Sequence, residues 1–343
     1  MPKISVIIPN YNYAIYLKQR IESVINQTYQ DFEVIILDDH STDNSKSIIE
    51  EYKNHPKIKK IVYYEANSGS PFIQWNKGIE YATGEWIWIA EADDYADKHF
   101  LEKVIKNGIE SNDIVISYCQ SLKTDSMGNI AGSWNDWTKD LGCIFDNNFI
   151  IDGLSYIEKF LYFKNTIPNA SGVIFRKKAF IEVGRTDIDV KYCADWLLWL
   201  KLLTIGKLAF CAENLNYFRD HQLSVIASSN REKELFIYKY DIFLRKKFIA
   251  FLKTKIHSKK NLGSFLYLVE IFKHQLSIEC EAEAIFLRDN GEKRHALYHM
   301  IRALKYTNQK KRIFCALLSK ILLPKSARHL VKSYLIKKQK KGM

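Results

Sequence analysis

The sequence predicts an α/β fold, with a Rossmann-like, mostly parallel sheet flanked by helices. Short apolar runs alternate with segments whose apolar residues recur at helical spacing, which is typical of βαβ units. The first run, residues 4–9 (ISVIIP), is unbroken, as expected of a strand that is buried on both faces. Acidic and amide residues follow several runs directly, at the strand ends where open α/β sheets bind ligands.

The predicted elements alternate regularly along the chain. Strands are predicted at residues 4–9, 32–37, 58–64, 86–90, 114–118 and 174–176, with an extended segment at 207–219. Helices are predicted at residues 17–25, 42–52, 72–82, 97–110 and 195–204. Residues 121–150 mix Gly, Asn, Asp and Trp, a composition that favours a loop.

The composition changes near residue 230, where we place a domain boundary. Residues 1–230 contain 24 Lys and Arg against 30 Asp and Glu, whereas residues 231–343 contain 27 against 9. The second part is helical in pattern and rich in Lys, Phe, Leu and Ile. We therefore predict an α/β domain followed by a basic helical extension, and an acidic partner for that extension.

The last part of the chain, residues 310–343, predicts a basic amphipathic helix interrupted at Pro324. Apolar residues recur at helical spacing while Lys and Arg occupy the other faces. Such a helix lies in the plane of an anionic membrane surface. The alternative is a helical bundle that packs on the catalytic domain or on a second subunit of a homo-oligomer. Nucleic acid is disfavoured, because no nucleic-acid-binding motif accompanies the charge.

Several classes of protein are disfavoured by the sequence. No signal peptide and no apolar run of the ~20 residues that a spanning helix needs is recognised. The six cysteines are scattered and are expected to be reduced thiols, so a cytoplasmic protein, peripheral at the inner face of the plasma membrane, is expected. Neither G-x-G-x-x-G nor G-x-x-x-x-G-K follows the first strand, which disfavours a Rossmann-type dinucleotide site and a P-loop.

Three predicted strands end in polar segments: residues 9–12 (PNYN), 38–39 (DD) and 91–94 (EADD). If these strands are neighbours, at least four carboxylates converge on one crevice. Like charges this close repel each other strongly unless a cation neutralises them. Mg²⁺ or Mn²⁺ held by one or two carboxylates and by substrate phosphates meets this requirement, so we predict a nucleoside diphosphate as ligand.

The order of motifs resembles that of inverting family 2 glycosyltransferases of the GT-A (nucleotide-diphospho-sugar transferase) fold, as found in bacterial surface-polysaccharide synthesis. The resemblance covers roughly residues 3–225. The segments that carry it are residues 6–12 (VIIPNYN), 23–29 (SVINQTY), 38–43 (DDHSTD), 67–72 (NSGSPF), 74–79 (QWNKGI) and 91–94 (EADD).

The resemblance implies a donor site and a metal site. The residues it assigns to the nucleotide and donor sugar are Pro9, Tyr11, Asn12, Asp39, Asn67, Gly69, Lys77 and Asp93. Within this set, Tyr11 would stack on the base, Asp39 would accept a hydrogen bond from it, and Asp93 would bind the ribose or the sugar. Asp94 and His221 would hold Mn²⁺ or Mg²⁺ on the diphosphate.

The resemblance also implies a general base and an acceptor side. Residues 193–200 (CADWLLWL) are similar to the E-D-x-x-L-W block of the family, and Asp195 matches its base. Ala194 replaces the acid that precedes the base in the family, which removes any supporting acidic contact. Asn169, Ser171 and Trp196 would flank the acceptor.

The resulting hypothesis is the metal-dependent transfer of a hexose or N-acetylhexosamine from a UDP-sugar to an acceptor hydroxyl, on a glycan or lipid-linked glycan of O-antigen or capsule type. Two alternatives remain. A sugar-phosphate nucleotidyltransferase would carry a Gly-rich loop where residues 9–12 read PNYN. A degenerate transferase could act as a binding module. Locally, Asp39 could simply end a strand and Asp195 could only cap a helix.

Overall fold

A computed structural model of the chain describes residues 3–190, 193–222, 235–256 and 261–307. The chain divides into two compact units, residues 1–224 and 225–343. The predicted boundary near residue 230 lies outside the described residues.

The first unit is built from a sheet and its flanking helices. Its strands are β1 (Ile4–Asn10), β2 (Phe32–Asp38), β3 (Ile58–Tyr63), β4 (Trp86–Ile89), β5 (Tyr95–Ala96), β6 (Ile114–Thr124), β7 (Ile130–Ser133), β8 (Phe149–Asp152), β9 (Val173–Arg176) and β10 (Lys207–Arg219). Its helices are α1 (Ala14–Ile25), α2 (Ser45–Glu51), α3 (Pro71–Tyr81), α4 (Phe100–Gly108), α5 (Asn135–Thr138), α6 (Gly153–Tyr156), α7 (Lys177–Glu182) and α8 (Ala194–Leu203).

The sheet has the strand order β3-β2-β1-β4-β9-β6-β10-β5, with β7 paired to β6 and β8 paired to β10. Strands β1, β2, β3 and β4 run parallel, and so do β6 and β10. The predicted mostly parallel α/β sheet is thereby confirmed. Strand β9 lies between β4 and β6 and is antiparallel to both, so the sheet is mixed.

The register of the central strands brings their carboxyl ends together. Asn10 at the end of β1 pairs with Asp38 at the end of β2, and Ile7 pairs with Ile89 of β4. Because these strands are parallel neighbours, the segments that follow them leave the sheet at one edge. The interior of β1 is completely buried, as its apolar sequence predicts.

Residues 121–150, predicted as a loop, are partly ordered into strands and short helices. Strand β6 continues to Thr124 because it pairs with β10 on one side and with β7 on the other. Strand β8 pairs with the beginning of β10. The pairings of β6 and β8 with β10 join residues that are distant in sequence, and a local pattern carries no signal for them.

The described part of the second unit is helical, as predicted. It contains α9 (Leu235–Lys255), α10 (Leu262–Asp289) and α11 (Lys293–Tyr306). Among the helices that the structure describes, none is long and apolar enough to span a bilayer. Residues 310–343, predicted as a basic amphipathic helix, lie outside the described residues.

Candidate active site

Two loops at the carboxyl edge of the sheet are tied together by hydrogen bonds. The backbone N–H of Asn12 donates to Oγ of Ser41 (2.9 Å), and the backbone N–H of Thr42 donates to Oδ1 of Asn12 (2.7 Å). Asn12 adopts φ 58°, a left-handed conformation that Asn tolerates better than most residues. Asn10 Nδ2 donates to Asp38 Oδ2 (2.8 Å). Asn12 therefore organises the mouth of the site through its backbone turn and its side chain.

Asp39 is buried and its carboxylate fixes a third loop. The backbone N–H of Ser68 lies 3.0 Å from both carboxylate oxygens, the Ser68 hydroxyl donates at 2.7 Å, and Gln74 Nε2 donates at 2.5 Å. Asn67 Nδ2 also donates to the backbone oxygen of Asp39 (3.1 Å). Asp39 therefore does more than end a strand, because its carboxylate also holds the loop that contains Ser68. Its predicted contact with a base remains a prediction.

The other predicted donor residues lie around these loops. Tyr11 is 45% exposed and Pro9 is buried in β1 beside Leu37 of β2. Gly69 has φ +74°, and no atom lies within 4 Å of the position a Cβ would take. Its conformation rather than its surroundings requires glycine. Lys77 places its ammonium 4.0 Å from the ring centroid of Tyr64, so in the structure it is held by a cation–π contact.

The acidic segment after β4 meets the end of β10. His221 Nε2 lies 3.0 Å from Asp93 Oδ2, and the Asp93 side chain keeps part of its surface exposed. Asp94 is 3% exposed, and its Oδ1 accepts the backbone N–H of Arg219 (2.9 Å). The geometry thus differs from the sequence-based assignment: His221 faces Asp93, and Asp94 is covered by protein donors.

Glu91, the first residue of the acidic segment, is held from three sides. Trp75 Nε1 donates to its carboxylate (2.7 Å), Arg20 Nε donates to its carbonyl (2.7 Å), and its N–H donates to the Ser171 hydroxyl (3.2 Å). Burial, and next the charge of Asp93, raises the pKa of the Glu91 carboxyl to about 8. Burial and then Asp93 also raise the pKa of Asp94. Burial and the neighbouring Asp93 carboxylate therefore favour the protonated forms of Glu91 and Asp94.

Two arginines that the sequence analysis missed support this segment. Arg20 is completely buried in α1, and its terminal nitrogens have no hydrogen-bond partner among the described residues. Burial lowers its pKa to about 10. Arg219 donates to the carbonyl of Asp93 (2.8 Å) and to Oε1 of Gln19 (2.6 Å). A signal for Arg20 was present, because it interrupts the apolar stripe of α1 that includes Leu17.

The side chains of Asp93 and His221 suit a hard divalent cation that a bound ligand would also coordinate. The 3.0 Å separation of Asp93 Oδ2 and His221 Nε2 suits neighbouring ligands of one ion with bonds of about 2.1 Å. His221 Nδ1 is buried without a partner among the described residues. No group of three or more His, Cys, Asp or Glu side chains within the described ranges could hold a metal ion.

Asp195 lies in the first turn of α8 and is the predicted base. Burial raises the pKa of its carboxyl to about 6, while the backbone N–H groups of Asp195 and Trp196 and the side chain of Asn165 oppose this rise. A carboxyl with this pKa is ionised at neutral pH and is still basic enough to take a proton. The N-cap position of α8 is Cys193, and Asp195 follows in the first turn, where a carboxylate interacts favourably with the helix dipole.

The three predicted acceptor-side residues are largely buried. Trp196 is 5% exposed, and its indole N–H donates to the carbonyl of Leu161 (2.9 Å). Asn169 is 6% exposed and accepts the N–H of Ser171, which is itself fully buried. Their side chains are largely enclosed by protein, and their acceptor-side role remains a prediction. The Ser171 hydroxyl also accepts the backbone N–H of Glu91 (3.2 Å), which links Ser171 to the acidic segment.

The family model described as glycosyl transferase family 2 matches residues 5–184. The chain belongs to this family. This family 2 glycosyltransferase is 33% identical over 224 residues to an uncharacterized glycosyltransferase of Nostoc sp. strain PCC 7120, a match that covers 64% of this chain and 65% of that protein. It is 36% identical over 121 residues to the poly(ribitol-phosphate) beta-N-acetylglucosaminyltransferase TarP of Staphylococcus aureus, covering 34% of this chain and 36% of TarP.

Solved structures confirm the GT-A fold of this family 2 glycosyltransferase. The structure of S. aureus TarS 1-349 in complex with UDP superposes with a TM-score of 0.59 at 18% identity, covering 96% of this chain and 86% of that one. A Pyrobaculum calidifontis mannosyltransferase in complex with GDP-Man and Mn²⁺ superposes with a TM-score of 0.56 at 16% identity, covering 98% and 85%. The match of the family model to residues 5–184 disfavours the sugar-phosphate nucleotidyltransferase alternative.

Proposed function

We propose that this glycosyltransferase moves a hexose or N-acetylhexosamine from a UDP-sugar to an acceptor hydroxyl with inversion at the anomeric carbon. The observation that carries the proposal is the pairing of Asp93 with His221 beside buried Asp94, at the edge where β1, β2 and β4 end. Relatives support the choice of donor, since TarS was solved with UDP and with UDP-GlcNAc.

We assign Asp93 and His221 to the cation, in place of Asp94 and His221. Asp93 is the carboxylate that faces the imidazole, whereas Asp94 Oδ1 already accepts the N–H of Arg219. A bound Mn²⁺ or Mg²⁺ supplies Lewis-acid stabilisation of the diphosphate leaving group. The proposed role of Asp94 is to fix Asp93 and the end of β10 relative to each other.

The loops around Asp39 form the proposed nucleotide pocket. Asp39 holds residues 67–70 through Ser68 and Gln74, and Tyr11 offers an exposed ring at the same mouth. The exposed Tyr11 ring would stack on a base, which contributes roughly 1–3 kcal/mol. Asn67 and Gly69 would set the conformation of the backbone that lies close to the donor.

Asp195 is the proposed general base. As the acceptor oxygen forms its bond to the anomeric carbon, the bond from that carbon to the diphosphate oxygen breaks and the diphosphate departs. The acceptor proton passes to the Asp195 carboxylate. Because burial sets the pKa of this carboxyl at about 6, we expect kcat/KM to rise with pH up to about 6 and to level off above it.

A donor screen tests the proposal directly. The full chain is incubated with Mn²⁺ and with UDP-, dTDP- or GDP-sugars, and release of the nucleoside diphosphate is measured with and without EDTA. We expect turnover of a UDP-sugar, abolished by EDTA and restored by Mn²⁺. Turnover that EDTA leaves unchanged would exclude a metal requirement. A preference for GDP-sugars would exclude uracil as the nucleobase of the donor. No turnover of any donor would favour the degenerate transferase.

The acceptor is proposed to be a glycan or lipid-linked glycan of the cell surface. The chain is 36% identical over 105 residues to the putative teichuronic acid biosynthesis glycosyltransferase TuaG of Bacillus subtilis, covering 31% of this chain and 41% of TuaG. The basic composition of residues 310–343, with 11 Lys and Arg in the last 35 residues and no acidic residue, supports docking on an anionic membrane.

Removal of residues 310–343 is expected to abolish flotation of the protein with vesicles that contain anionic lipid. Each Lys or Arg near such a surface contributes about 1 kcal/mol, so binding should also weaken as salt is added. Flotation with neutral vesicles is the control. Equal flotation of the full and shortened chains would reject membrane docking, and a change of oligomeric state instead would favour the subunit-packing alternative.

A further inference from the structure

The side chain of Arg219 is buried, and each of its three nitrogens donates to a different part of the chain. Nε donates to the carbonyl of Asp93 (2.8 Å), Nη1 to the carbonyl of Ser126 (3.0 Å) and Nη2 to Oε1 of Gln19 (2.6 Å). These acceptors lie in the acidic segment after β4, in the turn between β6 and β7, and in α1. One guanidinium, 2% exposed as a residue, therefore joins three segments that are far apart in sequence.

The backbone and the flat faces of Arg219 are also held. Its backbone N–H donates to Oδ1 of Asp94 (2.9 Å). Its Cζ lies 4.5 Å from the ring centroid of Tyr16 and 5.4 Å from that of Tyr95, which is within the range of cation–π contacts. Because hydrogen bonds and aromatic contacts act together, the position of Arg219 is fixed in every direction.

Arg219 reaches both members of the proposed metal pair. It binds the carbonyl of Asp93 directly, and His221 follows it by two residues in the chain. The imidazole of His221 lies 4.9 Å, between ring centroids, from the same Tyr16 ring that the guanidinium contacts. Asp93 and His221 are 128 residues apart in sequence, yet Nε2 and Oδ2 approach to 3.0 Å. Arg219 is the side chain through which the two segments are joined.

We propose that Arg219 is the positioning residue of the metal pair formed by Asp93 and His221. This inference rests on the proposed function in that it takes these two side chains as metal ligands. Arg219 cannot itself bind a cation, because a guanidinium has only donors. Its positive charge opposes a nearby cation, so its contribution to metal binding comes from the hydrogen bonds that hold the two ligands together.

The sign of the effect on metal affinity separates positioning from charge. If Arg219 acted only as a charge, the neutral variant R219M would bind Mn²⁺ more tightly than the wild type. If Arg219 positions the ligands, R219M should bind Mn²⁺ about 10–100-fold more weakly, as is usual when a group that orients metal ligands is lost. Met is chosen because its unbranched thioether can still pack against the two tyrosine rings.

The first measurement is free Mn²⁺ by electron paramagnetic resonance during titration of the full chain, with and without UDP. We expect weaker binding in R219M and partial recovery in R219K, whose ammonium can still donate to some of the three acceptors. R176M is the matched control and should bind as the wild type. Arg176 also donates Nε to a carbonyl, that of Ile114 (2.7 Å), and contacts the ring of Trp86, but at the edge where β4 and β6 begin. Equal or tighter binding in R219M would overturn the proposal.

A milder variant tests the same proposal without changing the arginine. Gln19 is exposed and supplies one of the three acceptors, so Q19A should weaken Mn²⁺ binding by about 3-fold, the effect of one hydrogen bond. Q30A changes an exposed glutamine beyond the other end of α1 and should have no effect. Should R219M not fold, unchanged Mn²⁺ binding in Q19A would overturn the proposal.

The second measurement needs no metal. In the full chain labelled with ¹⁵N-histidine, the His221 imidazole signal is identified as the one that H221Q lacks. A carboxylate only accepts, so Nε2 carries the proton that is donated to Asp93, and this buried N–H should exchange slowly. We expect the signal to be lost in R219M and kept in R176M. A signal kept in R219M would contradict positioning. If the wild type binds no Mn²⁺, the proposed function is what fails, and this signal still decides the role of Arg219.

Discussion

Substitution of Asp195 by Asn is expected to lower kcat for sugar transfer by about 10³-fold and to leave UDP binding unchanged. Asn has nearly the shape of Asp, but it cannot take a proton. General bases contribute about 10²–10⁴-fold, so the expected loss lies within that range. The measurement is single-turnover sugar transfer in parallel with calorimetric titration of UDP in Mn²⁺.

Asp152 provides the matched control for this substitution. Its carboxylate caps α6 by accepting the N–H of Ser155 (3.0 Å), so D152N changes a helix-capping aspartate outside the proposed site. We expect D152N to retain full activity. A D195N enzyme with undiminished turnover would show that Asp195 is a cap and not the base. Loss of UDP binding in D195N would show that the residue serves the donor pocket.

The pH dependence of stability gives an independent test of the raised pKa of Asp195. Its folded pKa, about 6, is raised above the ordinary value by burial, so the protonated form stabilises the fold. That contribution is present at low pH and is lost as pH rises through about 6. We therefore expect D195N to melt at a higher temperature than the wild type at pH 8, with the difference vanishing near pH 4. A difference that does not depend on pH would contradict a buried, titrating Asp195.

Substitution of Asp93 by Asn is expected to weaken Mn²⁺ binding by on the order of 100-fold and to lower turnover at limiting Mn²⁺ accordingly. Residues that only orient metal ligands contribute about 10–100-fold to affinity, and removal of a ligand should cost at least the upper value. High Mn²⁺ should restore part of the activity, because the rest of the site remains. The measurement is turnover against Mn²⁺ concentration.

Two further aspartates separate a metal ligand from a general charge effect. Asp31 is exposed at the opposite edge of the sheet, where its carbonyl accepts the N–H of Ile4, so D31N removes the same charge far from the site. We expect D31N to behave as the wild type. D94N should lower activity without partial rescue by Mn²⁺. Rescue of D94N but not of D93N would show that Asp94 is the metal ligand, as the sequence analysis predicts.

The sequence was sufficient for the donor half of the site because that half follows from the sheet. Continuous apolar runs predict β1, β2 and β4, parallel pairing aligns their ends, and Asp39 and residues 91–94 therefore meet at one edge. The direction of each carboxylate could not be predicted in this way. It depends on Arg219 and His221, which come from the end of β10, more than 120 residues away in sequence.

Burial explains the other differences. Trp196 and Ser171 match family positions on the acceptor side, yet their side chains pack inward and hold Leu161 and Glu91 in place. Contacts between residues that are distant in sequence can be identified only once the fold is known.

The most direct test of the account is a crystal structure of the full chain grown with Mn²⁺ and UDP, with data collected near the manganese absorption edge. We expect one strong anomalous peak within about 2.2 Å of Asp93 Oδ2 and His221 Nε2, bridging the two phosphates of UDP. A peak bound to Asp94, or UDP bound away from this edge with no manganese beside His221, would contradict it.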